Sequence, residues 1–109
     1  MARDEGLEQL IEEHLGGQTG LTTKDMFGGR AWLLDGRLLC AGRHDGMLVR
    51  LGKGYDNWAL KYPGIMPLVM GRRRMSGWVR AAPEAFDDDA LRTSLLDSAL
   101  AFVRALPAK

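Results

Sequence analysis

The chain has 109 residues, 46% of them hydrophobic, and a formal charge of +1 at pH 7. That length predicts one domain, 1–109, able to bury a core without disulfide or metal staples. No run approaches the ~20 apolar residues of a membrane span, and the acidic Asp4 and Glu5 stand where a signal peptide would be apolar. The single cysteine, Cys40, has no partner within the chain and sits in an apolar run. A reduced, packed thiol in a cytoplasmic protein is the expectation. Charge is unevenly distributed. Residues 1–20 set Arg3 against five carboxylates, residues 21–82 set eleven Lys/Arg against four aspartates, and residues 83–109 set three cations against five carboxylates. The middle is basic and both ends are acidic.

Leu7, Leu10, Ile11 and Leu15 recur at helical spacing, which predicts a helix over 4–15 stopped by Gly16-Gly17. His14, at the edge of that stripe, has no second metal-type residue at helical spacing and reads as a surface or packed histidine. Residues 18–25 are polar and read as a loop. Met26-Phe27-Gly28-Gly29 follows, and two glycines after a large apolar pair predict a backbone position closed to side chains, as a bulge or a tight lead-in to a strand. No phosphate-loop pattern accompanies them.

From Arg30 to Leu51 three short apolar runs are separated by Asp35-Gly36 and Asp45-Gly46, the strongest short-range signal for a hairpin. A three-stranded antiparallel meander is predicted. With two-residue loops at both dipeptides, Leu34 faces Arg37, Trp32 faces Leu39, Arg43 faces Leu48 and Cys40 faces Leu51. One face then carries Ala31, Leu33, Leu38, Cys40, Gly42, Met47, Val49 and Leu51, without charge, and is the expected core. The other carries Trp32, Leu34, Arg37, Leu39, Ala41, Arg43, Leu48 and Arg50, and is expected to meet a partner.

A short helix is expected within 53–62, with Trp58 and Tyr62 on one side, stopped by Pro63-Gly64. Pro67–Met70 and Arg74–Ala81 read as two further strands joined through Gly71-Arg72-Arg73. Alternation in the second groups Trp78 with Arg80. Asp87-Asp88-Asp89 then caps a helix whose stripe is Leu91, Leu95, Ala99, Phe102 and Leu106, ended by Pro107. The order is helix, three strands, helix, two strands, helix. It predicts a two-layer α+β domain in which the helices cover one face of an antiparallel sheet.

Catalytic constellations are thin. His14 and His44 offer no metal spacing, Cys40 lies on the expected core face, and the aspartate run is a helix cap, so no catalytic, metal or cofactor residues are assigned. The candidate surface is Trp32, Arg37, Arg43, Arg50, Arg72, Arg73, Arg74, Trp78 and Arg80. Arginine beside tryptophan suits a protein interface, including a homodimer. It also suits phosphates and stacked bases. Both readings stand at this level.

Met26-Phe27-Gly28-Gly29, the Asp35-Gly36 turn, the aromatic short helix before Pro67, Gly71 followed by Met75-Ser76, and the terminal amphipathic helix together resemble the N-terminal domain of the TfoX/Sxy family. The resemblance runs from about Met26 onward. It departs from that family's pattern at Gly77-Trp78, where two aromatics are usual, and at Pro83, which comes later than the usual proline. It implies a secretion-chaperone-like α+β fold and a regulatory or adaptor role linked to bacterial competence genes, with no catalytic residues to carry over. Full-length members add a C-terminal helical domain, and a stand-alone N-terminal domain lacking it is the expectation for the sequence 1–109.

Overall fold

The computed structural model describes residues 4–26 and 28–107. Helix α1 (Glu5–Leu15) starts where the Asp4 carboxylate accepts the Leu7 N–H at 3.0 Å, satisfying one of the free donors of the first turn. Leu7, Ile11 and Leu15 are buried. Gly16 ends the helix with ordinary negative φ, and Gly17 takes the left-handed conformation expected of the pair.

Four consecutive strands follow: β1 (Leu21–Met26), β2 (Gly29–Leu34), β3 (Arg37–Arg43) and β4 (Gly46–Arg50). A short helix α2 (Asn57–Leu60) leads into β5 (Ile65–Met70) and β6 (Arg73–Ala81), then α3 (Pro83–Phe86) and α4 (Asp89–Arg104). The fold is α+β, with one antiparallel sheet in the order β1-β2-β3-β4-β6-β5. Two elements depart from the expected order. Strand β1 replaces the loop expected over 18–25, because a sheet edge tolerates a polar strand whose residues 22–25 are exposed; its Thr22-Thr23 pair is the one β-forming signal it carries. Helix α3 is a single turn opened by Pro83. Helix α4 begins as expected, Asp88 accepting the Leu91 N–H.

The glycines of the Met26–Gly29 turn act in two different ways. Gly28 supplies positive φ in the β1–β2 turn, whereas a Cβ on Gly29 would overlap the Gly42 carbonyl oxygen of β3. Phe27 lies outside the described residues.

The first hairpin is as expected, with Asp35 and Gly36 both at positive φ and Leu34 opposite Arg37. The second is displaced. Arg43 pairs with Gly46, so the loop is His44-Asp45 and each partner on β4 shifts by two, with Cys40 opposite Val49 instead of Leu51. Asp45 is held by the Arg43 fork, Nε to Oδ1 at 2.6 Å and Nη2 to Oδ2 at 2.7 Å. A shift of two conserves the faces, and Cys40, Met47, Val49 and Leu51 are buried beneath the helices as expected.

Between β2 and β3 the register breaks. Leu33 opposes Leu38 but Trp32 opposes Cys40, leaving Leu39 as a bulge. One extra residue inverts every side chain on the far side of it. Trp32 and Leu34, expected on the partner-facing side, therefore point into the main core with Leu39, and Trp32 is 0% exposed. Ala31, Leu33 and Leu38, expected in that core, lie on the opposite face with Ala41, Leu48, Leu68 and Trp78.

The main core joins Leu7, Ile11 and Leu15 of α1 to Leu95, Leu96, Ala99 and Val103 of α4 across β2, β3, β4 and β6. Each such leucine contributes about 1.5–3 kcal/mol of burial. Helix α1 crosses above Gly42, where a Cβ would meet Glu8, Ile11 and Leu7. Among the described residues no helix is long and apolar enough to cross a membrane.

Trp32 provides the test of the inverted strand. Among the described residues its indole Nε1 has no hydrogen-bond partner, so packing holds it. Trp32→Ala should lower stability in urea titrations by about 3–5 kcal/mol, and Trp32→Phe by clearly less. A cost below about 0.5 kcal/mol, the value of a surface site, would contradict the bulge.

Candidate partner-binding surface

The helix-free face is built by the alternation of β4 and β6. Leu48 pairs with Arg80 and Arg50 with Trp78, while Val49, Val79 and Ala81 turn to the helices. Its apolar middle is Ala31, Ala41, Leu48, Leu68 and Trp78, flanked by half-buried Met26, Leu33, Leu38, Met70 and Met75. Leu48 is 0% and Trp78 8% exposed although no helix covers them, so the sheet's own side chains close over this cluster.

At one end, the first hairpin, the end of β4, the β5–β6 hairpin and the C-terminal end of α4 enclose a recess of about 500 Å³. It is lined by Leu38, Leu68, Met75 and Trp78 together with Arg37 and Arg50. Arg37, expected on the partner-facing side, is turned by the bulge toward α4, where it donates to the carbonyls of Leu106 and Pro107. A cation is well placed there, at the negative end of the helix dipole. Arg50 donates to the Leu38 carbonyl at 3.3 Å, and its guanidinium carbon lies 5.5 Å from the Phe102 ring centre.

Farther along the face, Arg43 and Arg80 flank a second apolar patch with Met66, Pro67, Leu68 and Val69. Met66 and Val69, on edge strand β5, are 46% and 52% exposed. Arg80 donates to the Asp45 carbonyl at 3.1 Å and Arg43 reaches the Met70 sulfur at 3.6 Å. The bidentate Arg43 contact holds the Asp45 carboxyl below the usual carboxylate range. Arg72, Arg73 and Arg74 are all exposed at the β5–β6 turn.

Of the nine residues singled out from the sequence, Arg37, Arg50 and Trp78 thus share one recess. Arg43 and Arg80 share one patch, and the arginine triplet forms a separate tip. Trp32 belongs to none of them.

Three features were not legible in the sequence. Met66 and Val69 are an exposed apolar pair whose only signal was an uneven alternation interrupted by Pro67. A groove of about 610 Å³ lies between the 51–58 segment and α4, with Leu51, Tyr55, Trp58, Ala101 and Phe102 on its walls. Tyr55 packs against Phe102 with ring centres 6.4 Å apart, yet remains 68% exposed. The third is the His14–Asp97 contact at 2.7 Å, which ties α1 to α4. Cys40 is fully buried and burial raises its thiol pKa, as its place in an apolar run suggested. Among the described residues no group of three or more His, Cys, Asp or Glu is placed to hold a metal ion.

These features define a class, an α+β domain whose helices cover one sheet face and whose other face presents arginine beside apolar side chains. The chain belongs to the TfoX N-terminal domain family, whose pattern matches residues 13–103. No curated protein and no solved structure matches it.

The Arg43–Asp45 contact has a definite pH signature. Because the folded carboxyl lies below its ordinary 3.8, the stabilisation is complete above that value and disappears as pH falls through the lowered one. In Arg43→Gln, NMR titration should find the Asp45 midpoint moved upward to the ordinary range. An unmoved midpoint would remove Arg43 as the cause.

Proposed function

We propose that the domain is a small cytoplasmic regulatory adaptor that acts by protein contact rather than by catalysis. Its role would lie in the control of competence genes, the process with which the TfoX family is linked. The observation that carries the contact reading is the pairing of Arg37 and Arg50 with an apolar recess where the helix-free face meets the C-terminal end of α4. Arginine beside buried apolar surface is the composition of interface centres. A base-stacking platform, by contrast, needs exposed aromatic faces, and both Trp32 and Trp78 are buried.

The second reading, direct binding of nucleic acid, is favoured by one observation, the exposed triplet Arg72, Arg73 and Arg74 at the hairpin tip. It predicts affinity that falls steeply with salt and weakens in Arg72→Ala/Arg73→Ala. Absence of binding to DNA or RNA at low salt would remove it.

We further propose that the domain forms a homodimer through the patch of Met66, Val69, Arg43 and Arg80. Apolar side chains roughly half exposed on an edge strand are a liability for a monomer. Pro67 within β5 limits a continuous backbone ladder across that edge, which leaves the side chains to make the contact. Multi-angle light scattering should report a dimer that becomes a monomer in Val69→Glu. A monomer at high concentration, or a dimer indifferent to Val69→Glu, would refute this assembly.

A further inference from the structure

We infer that the recess between Arg37 and Arg50 is a docking site for a short acidic and apolar peptide segment of a partner protein, an inference that rests on the protein-contact reading above. The site has two parts. Leu38, Leu68, Met75 and Trp78 form an apolar hollow at the end of the helix-free face, and the two guanidinium groups stand at its wall. Both arginines are held in place before anything binds. Arg37 is fixed by the carbonyls of Leu106 and Pro107, and Arg50 by the Leu38 carbonyl and the Phe102 ring.

Carbonyls orient a guanidinium without neutralising it. Among the described residues, the carboxylates that form ion pairs do so with Arg30, Arg43, Arg92 and His14, and none with Arg37 or Arg50. A guanidinium has five N–H donors; the described contacts engage two on Arg37 and one on Arg50. Two oriented positive charges with free donors therefore flank an apolar hollow. The exposed arginines 72–74, at the turn of the hairpin that supplies Leu68 and Met75, add to the positive potential outside it.

The chemistry that complements this arrangement is an apolar side chain adjacent to carboxylates. The side chain enters the hollow, and the carboxylates take charge-assisted hydrogen bonds from the arginines. A volume of about 500 Å³ lies within the usual range of about 300–1,000 Å³ for ligand sites. Nucleic acid satisfies only half of the arrangement, since its phosphates would suit the arginines but its sugars would lie against leucine and methionine.

The test is selection from a random heptapeptide library displayed on phage, using the full chain as bait, followed by fluorescence anisotropy with the enriched peptides. Peptides carrying Asp or Glu within two positions of Leu, Phe or Met should be enriched. Their affinity should fall at least tenfold in Met75→Glu, which places a negative charge in the hollow, and in Arg50→Gln, with recovery in Arg50→Lys. Melting curves of these variants should overlay that of the parent. Absence of an acidic consensus, or affinity unchanged in Met75→Glu and Arg50→Gln, overturns the inference. If enriched peptides instead lose affinity in Tyr55→Ser, protein contact stands and this recess is not the site. If no peptide is enriched and a single-stranded DNA 12-mer binds, with loss in Arg72→Ala/Arg73→Ala, the inference and the protein-contact reading both fall.

Discussion

The bulge at Leu39 is the constraint on which the rest of this structure depends. It places Leu39 and Cys40 on the same side of β3, so that both reach the helices. It also turns β2 by one residue, which exchanges Trp32 for Ala31 as the side chain entering the main core. A tryptophan there supplies far more buried area than an alanine could, in the same core that the apolar faces of α1 and α4 join. Arg37, on the near side of the bulge, is carried toward the end of α4 by the same displacement. Without the bulge the arginine would leave the helix carbonyls and the largest side chain of the core would turn to the helix-free face.

Close backbone approach is the second theme. Gly29 lies against the Gly42 carbonyl, so β2 and β3 come nearer there than a side chain at position 29 would permit, while Gly42 itself lies in ordinary contact beneath α1. Gly77 plays a comparable part in β6, taking positive φ while its carbonyl accepts from Leu51 and Gly52. That irregularity lets β6 run on past the end of β4 and carry Met75 to the recess.

The arginines divide by what holds them. Arg37 and Arg50 are anchored by carbonyls and a ring, Arg43 by a carboxylate, and Arg72 to Arg74 are exposed at the turn. An arginine already paired with a carboxylate offers an anion little. One oriented by carbonyls keeps its full charge, which is why the recess rather than the Arg43 patch is suited to an acidic partner.

Local chemistry by itself determined a good deal. The α+β class, the Asp35-Gly36 turn, the cap within Asp87-Asp88-Asp89, the buried face of α4 and the grouping of Trp78 with Arg80 all follow from periodicity and from residues with special φ or hydrogen-bonding capacity. The sequence also carries the family, through Met26–Gly29 and Met75-Ser76. The second Asp-Gly pair misled the register by two residues, because the turn is His44-Asp45, with Asp45 held by the Arg43 fork and without the positive φ of Asp35, and an even slip kept the faces right. An odd slip, the bulge at Leu39, did not. Nothing in the run Arg37–Arg43 marks which residue is skipped, since every residue from Leu38 to Ala41 is apolar and fits either face. Only the tertiary structure decided that point, because the choice depends on whether tryptophan or alanine better fills the core beneath the helices. With it were decided the burial of Trp32, the turning of Arg37 to the helix end, and the recess that brings Arg37, Arg50 and Trp78 together.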